Sequence, residues 1–199
     1  MLIDSLKKEI NCKIVYYGPA LSGKTTNLKY IFDKLNPNHR GELVSVDTKG
    51  ERTLFFDFLP VEINLPGGFR VRFHLYTVPG QFFYKASRRL VLKGADGIVY
   101  VADSSASRME SNLQILVEMV QTLRDYGNPI ESLPLVMQYN KRDASDALPV
   151  TELEAKLNKW NAPHVESVAI NGIGVFQTLD LITKDVLKDI IKKSGVKQS

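Results

Sequence analysis

Residues Gly18-Pro19-Ala20-Leu21-Ser22-Gly23-Lys24-Thr25 constrain this chain more than any other segment. An apolar run, Lys13-Ile14-Val15-Tyr16-Tyr17, leads into them, and Thr26-Asn27-Leu28-Lys29-Tyr30-Ile31-Phe32 follows with helical spacing. A glycine-rich loop of this pattern between a strand and a helix is a phosphate cradle. Gly18 and Gly23 let the backbone curl closely, while its N–H groups and the helix N-terminus supply positive potential. Lys24 is placed to reach β- and γ-phosphates, and Thr25 to ligate Mg²⁺. Pro19, Ala20, Leu21, Ser22 and Thr26 complete the candidate nucleotide-binding stretch. A plain glycine turn would not require strand, spacing, Lys and Thr to agree.

Strand-like and helix-like segments alternate around that loop. Strand candidates are 12–17, 54–63, 70–76, 97–102, 134–139 and 164–169. Helix candidates are 24–35, 107–126, 151–160 and 175–193, with a further one within 82–93. Pro66-Gly67-Gly68 joins two strand candidates as a hairpin. The pattern predicts an α/β fold of the P-loop NTPase kind, in three α/β/α layers. Its sheet is mainly parallel and six-stranded, with one antiparallel edge strand. Ligands of such sheets sit at the carboxyl ends of the strands, where the first strand delivers Gly18.

A length of 199 residues and 44% hydrophobic content suit one domain with a proper core, and residues 1–199 are read as a single domain. The net charge of +4 is spread along the chain, apart from Lys184, Lys188, Lys192, Lys193 and Lys197. That cluster reads as a solvated helix face rather than a nucleic-acid site. The lone Cys12 forms no disulfide within the chain, which suits a reducing cytosol. The N-terminus is too polar for a signal peptide, and no apolar run has membrane-spanning length. Neither terminus carries a lipidation motif, so the expectation is a cytoplasmic protein without a lipid anchor.

A phosphate loop alone leaves ATPases, kinases and GTPases open. Asn140-Lys141-Arg142-Asp143, after the apolar run Leu135-Val136-Met137-Gln138-Tyr139, narrows the choice. A carboxylate there accepts two hydrogen bonds from guanine N1–H and its 2-amino group, a donor pair adenine lacks. Leaving such a carboxylate buried and unpaired costs about 1–3 kcal/mol, so Asp143 selects guanine by reward and by penalty. Asn140 is placed to tie the base loop to the phosphate loop, and the Lys141 stem to cover the ring.

Together these motifs resemble the Ras-like small GTPases over almost the whole chain. Within them the sequence is similar to the bacterial MglA family, the mutual gliding motility GTPases. Ile14–Pro19, Arg52-Thr53-Leu54-Phe55-Phe56-Asp57-Phe58-Leu59-Pro60, Phe73–Gln81 and Gln138–Asp143 carry that resemblance. It implies a cytosolic GTP/GDP switch, recruited by partners to a cell pole, that organises motility. It also implies an MglB-like roadblock-fold partner that stimulates hydrolysis. Motility effectors would bind at the switch surfaces, and the GTPase alone would be monomeric.

By the same resemblance, Gln81 orients the attacking water and Gly80 gives its N–H to the γ-phosphate. Thr53 closes on Mg²⁺ beside Thr25, and Arg52 is an arginine finger supplied in cis. Such a finger is worth about 10³–10⁵ in rate in related systems. Gln81, Arg52 and Lys24 are thus the catalytic candidates.

Three features depart from the Ras pattern. Thr77 stands where that pattern has Asp, and Asp57 is the candidate to compensate. Ala20 stands for Gly and crowds the approach of Gln81 and the finger. Ser167-Val168-Ala169-Ile170 replaces the usual last guanine motif, with the Ala169 N–H facing guanine O6 and Val168 beside it in the nucleotide-binding set. Aromatics Phe55, Phe56, Phe58, Phe82, Phe83 and Tyr84 crowd the switch segments and suggest docking within 45–60 and 77–93. The main rival is a guanine-nucleotide-dependent adaptor that hydrolyses little; a P-loop kinase is disfavoured by Asp143.

Overall fold

The structure, a computed structural model, describes residues 2–4, 8–47, 55–64, 68–81 and 84–194. In chain order its elements are β1 (Leu2–Asp4), β2 (Glu9–Tyr17), α1 (Lys24–Lys34), β3 (Val44–Asp47), β4 (Phe55–Asn64) and β5 (Arg70–Thr77). They continue with α2 (Lys85–Leu92), β6 (Gly97–Asp103), α3 (Met109–Asp125), β7 (Leu135–Asn140), α4 (Val150–Leu157), β8 (His164–Glu166) and α5 (Val175–Ser194).

One sheet runs β3-β4-β5-β2-β6-β7-β8, with β1 added to β2. β5, β2, β6, β7 and β8 are parallel neighbours. β4 is antiparallel to both β3 and β5. β2 therefore has chain-distant partners on both sides. Such a reversal of strand order opens a crevice beyond the carboxyl end of the strand, and the phosphate loop begins there.

Alternation along β2 sends side chains to two cores. Ile14 and Tyr16 join Leu28 and Ile31 of α1 and Val175, Ile182 and Val186 of α5. Val15 and Tyr17 join Leu92 of α2, Met119 and Leu123 of α3, and Leu153 of α4 on the opposite face. Every residue of β6 and β7 is buried, as expected for central parallel strands covered on both faces. Each fully buried Leu, Ile or Val in these layers contributes about 1.5–3 kcal/mol. The one polar side chain buried in the middle of β7, Gln138, exchanges hydrogen bonds with Asn27 of α1 and bonds Thr178 of α5. That network pins the helix behind the phosphate loop to the sheet.

The three-layer class and mainly parallel sheet are those the alternation predicts. Two strands go beyond the prediction, β1 and β3, which at three and four residues are too short for a readable period. With β3 in place, the antiparallel strand β4 lies one position in from the edge. β4 and β5 pair as expected from Asn64↔Arg70 to Phe58↔Tyr76, although most of the expected hairpin turn (residues 65–67) lies outside the described residues. Of the Lys-rich cluster, Lys184, Lys188, Lys192 and Lys193 lie on α5, where Lys184, Lys188 and Lys193 pair with Asp180, Asp185 and Asp189, and Lys197 lies outside the described residues. No helix among the described residues is long and apolar enough to cross a membrane.

Candidate functional site

Three residues between β2 and α1 have left-handed backbones: Gly18 (φ 149°), Leu21 (φ 64°) and Gly23 (φ 104°). A Cβ on Gly23 would lie 2.1 Å from Asn140 Nδ2, so glycine there allows the two loops to touch. Lys24, at the start of α1, is buried. Its ammonium donates to Gly18 O at 2.9 Å and Pro19 O at 2.6 Å. Burial, reinforced by the charge of Arg88 and opposed by Asp57, pushes its pKa down to about 7. A bound polyanion would reverse that penalty, and the curled N–H groups of the loop suit one.

Thr25 lies at the rim, and its hydroxyl donates to Asp57 Oδ2 at 2.5 Å. Asp57 is 8% exposed. Alternation in β4 points it with Leu59 and Val61 toward α1, while Phe56 and Phe58 face the other side. Thr77, at the end of β5, accepts from the Asp57 N–H at 2.8 Å and donates to Asp57 Oδ2 at 2.9 Å. Ser45 of β3 donates to Asp57 Oδ1 at 2.8 Å. The hydroxyl that replaces the expected acid thus orients an acid from the neighbouring strand. Thr25 and Asp57 are hard oxygen donors, and Mg²⁺ is commonly held by one or two carboxylates with phosphates and water. They fit such an ion. Among the described residues no cluster of three or more His, Cys, Asp or Glu forms a protein-only metal cage. Arg52 and Thr53 lie outside the described residues, as do Phe82 and Phe83.

The loop after β5 rests on the phosphate loop. A Cβ on Gly80 would sit 2.4 Å from both the N and Cα of Ala20, so any other residue would force the loops apart. Gln81 is exposed beside it. Arg88 of α2, fully buried, reaches back to this loop. Its Nη1 donates to Pro79 O at 3.2 Å and to Gln81 O. Its Nε and Nη2 each meet a Glu118 oxygen at 2.8 Å, and the Tyr17 hydroxyl donates to Glu118 at 3.2 Å. Removing one partner of a buried pair of this kind costs about 3–5 kcal/mol. Ala20, Lys24, Thr25, Ser45, Asp57, Thr77, Gly80, Gln81 and Tyr84 help line the resulting cavity of about 500 Å³.

A second cavity of about 310 Å³ shares Leu21, Gly23 and Thr26 with the first. Asn140, Lys141, Asp143, Ala144, Val168, Ala169 and Ile170 complete its lining. Asn140 closes it structurally, donating to Ser22 O at 2.7 Å and accepting from Ser167 Oγ at 3.0 Å. Asp143 is exposed at the cavity rather than buried, so the penalty for an unpaired buried carboxylate does not apply to it as it stands. The Ala169 N–H, expected to face guanine O6, instead donates to Asn140 Oδ1 at 2.9 Å. Ala169 lines this cavity, but the sequence pattern could not show that Asn140 claims its donor. Lys141, with φ 63°, bonds Asp103 at 2.8 Å. Asp103, 2% exposed, also lies 3.8 Å from Arg108, whose Nη2 donates to Ala20 O at 2.8 Å. The base loop and the phosphate loop are therefore linked through one buried carboxylate.

Sequence reasoning missed Arg88, Asp103 and Arg108. A signal for Arg88 existed: it shares the buried phase of α2 with Val91 and Leu92. Asp103 likewise closes an otherwise apolar buried strand. On the sheet face opposite Asp57, Phe58, His74 and Tyr76 are half-buried. Phe58 stacks on His74 at 5.6 Å and packs on Tyr76 at 4.9 Å.

A phosphate cradle at the carboxyl end of β2, with a base-sized cavity walled by Asn140 and Asp143, defines a Ras-like small GTPase domain. The profile of Arf, the ADP-ribosylation factor family, matches residues 1–191. The chain belongs to that family, on its MglA-like bacterial branch. It is 51% identical to the mutual gliding-motility protein MglA of Myxococcus xanthus over 193 residues, 97% of this chain and 98% of that protein. ADP-ribosylation factor-like protein 4A of Mus musculus is 27% identical over 94% of this chain and 89% of its own. ADP-ribosylation factor-like protein 4D of the same species is 25% identical over 72% and 70%.

Proposed function

We propose that this protein binds GTP and GDP with Mg²⁺, hydrolyses GTP slowly, and acts as a switch in cell polarity and gliding motility. The observation that carries the reading is the adjacency of the two cavities, which share Leu21, Gly23 and Thr26 in their linings. One holds a buried cation and hydroxyls, the other a base-recognition carboxylate. Lys24 and the loop 18–26 bind the phosphates, and Asn140, Lys141 and Asp143 bind guanine. Thr25, Asp57 and Thr53 would hold Mg²⁺, which supplies charge neutralisation at the phosphates. Gly80 offers its N–H to the γ-phosphate, and Gln81 orients the attacking water. Arg52 neutralises charge that develops in the transition state.

The motility role rests on the likeness to the Myxococcus protein. A roadblock-type partner would press on the switch segments and bring Gln81 and Arg52 inward without donating an arginine. The face formed by Phe58, His74 and Tyr76 is the candidate surface for it. Ala20 narrows the space where those groups converge, which supports slow turnover without a partner. It also keeps a second reading in view, a nucleotide-dependent adaptor with negligible hydrolysis.

Single-turnover GTP hydrolysis separates the two. The GTPase reading expects slow cleavage by the wild type, and near-complete loss in Gln81→Leu and Arg52→Ala with nucleotide affinity kept. No cleavage above background, with or without a partner, establishes the adaptor instead.

A further inference from the structure

Arg88 is fully buried, and the proposed chemistry gives it no part. Its guanidinium makes two sets of contacts at once. One edge is locked to both oxygens of Glu118 on α3, and Tyr17 at the end of β2 bonds the same carboxylate. Nη1 takes the carbonyls of Pro79 and Gln81, on either side of Gly80. The Pro79 carbonyl belongs to the same planar unit as the Gly80 N–H. No cis bond occurs in the described chain, and in a trans peptide the C=O and N–H point in opposite directions. Holding that carbonyl toward Arg88 therefore fixes the Gly80 N–H away from Arg88. Gly80 itself lies against the Ala20 backbone, so the orientation is set next to the phosphate loop.

We propose that Arg88 is the positioning residue that aims the Gly80 N–H at a γ-phosphate, with Glu118 and Tyr17 holding its guanidinium in register. The proposal rests on the reading of residues 18–25 and 77–81 as a GTP-sensing site, and deepens it. Arg88 touches no reacting atom. It turns the loop from a tethered chain into a donor with one direction, so the protein distinguishes GTP from GDP. A lysine keeps the charge but lacks the planar fork, so it cannot serve Glu118 and both carbonyls together.

The test compares full-length wild type, Arg88→Lys and Tyr17→Phe, using fluorescent GDP and a non-hydrolysable GTP analogue. In Arg88→Lys, GDP affinity is expected to stay within a few-fold. The affinity ratio of GTP analogue to GDP falls about tenfold, the order expected for one charge-assisted hydrogen bond. A wild-type ratio in a folded Arg88→Lys overturns the proposal. Should Arg88→Lys not fold, Tyr17→Phe decides, because it keeps the ring and both charges. Faster amide exchange at Gly80 and Gln81 in its GTP-analogue complex is expected, and unchanged exchange overturns the proposal. If wild type binds neither nucleotide, the functional reading fails. Exchange at Gly80 in nucleotide-free wild type and Tyr17→Phe then still reads whether Arg88 orders the loop.

Discussion

The Thr77 hydroxyl donates to the Asp57 carboxylate at 2.9 Å while accepting from the Asp57 backbone N–H at 2.8 Å. This reciprocal pair joins the ends of two neighbouring strands beneath Thr25. It explains how a chain without an acid at position 77 still presents a carboxylate to the Thr25 hydroxyl. The acid lies on β4, and the Thr77 hydroxyl steers it.

Disturbing either partner should therefore act on the metal before it acts on the nucleotide. Asp57→Asn is expected to raise the Mg²⁺ concentration needed for half-maximal GTP-analogue binding by tenfold or more, and Thr77→Val by a smaller factor. The measurement is a Mg²⁺ titration at fixed nucleotide. A half-saturation point unmoved in Asp57→Asn would remove this residue from the metal shell.

Lys24 predicts a pH dependence with a defined sign. Its pKa is pushed down to about 7 by burial, and phosphate favours the ammonium form. Affinity for GDP is then fully present below about pH 7. It falls as pH rises above that value, by up to tenfold per unit, until the pKa of the complex is reached. Calorimetric titrations between pH 6 and 9 check this. Lys24→Arg, which stays charged, is expected to bind more weakly but with a flat profile. A flat profile in the wild type contradicts the assignment.

The base cavity and the carboxylate behind it should be separable. Asp143→Asn is expected to weaken GDP binding by about 1–3 kcal/mol and shift preference toward xanthine nucleotides. Asp103→Asn loosens Lys141 and Arg108 together. It should speed release of GDP and GTP alike while leaving base preference unchanged. Competition with GDP, ADP and XDP, alongside off-rates, distinguishes these outcomes. A changed base preference in Asp103→Asn would mean the link is part of base recognition itself.

What the sequence disclosed follows from what is local. Loop 18–25 carries its own backbone requirements, and β6 and β7 announce burial by continuous apolar runs. Asn140 and Asp143 follow a buried strand at fixed spacing. These features need no knowledge of distant neighbours. Asp57 was legible only as a candidate, because its role depends on Thr77, twenty residues away and brought alongside by antiparallel pairing. Arg88 and Asp103 depend on partners on other elements, Glu118 in one case and Lys141 and Arg108 in the other. The donor of Ala169 went to Asn140 for the same reason: hydrogen-bond competition within a pocket is settled in three dimensions.

On the proposed function, a γ-phosphate is read by the loop after β5 and orders both switch segments. Amide exchange of the full-length protein, loaded with GDP or with a non-hydrolysable GTP analogue, tests it most directly. γ-Phosphate contacts can order loops that move in the diphosphate form. The account predicts slower exchange within residues 45–60 and 77–93 in the GTP-analogue state, with β6 and β7 unchanged. Identical profiles in the two states would contradict a switch and leave a constitutive nucleotide-bound adaptor.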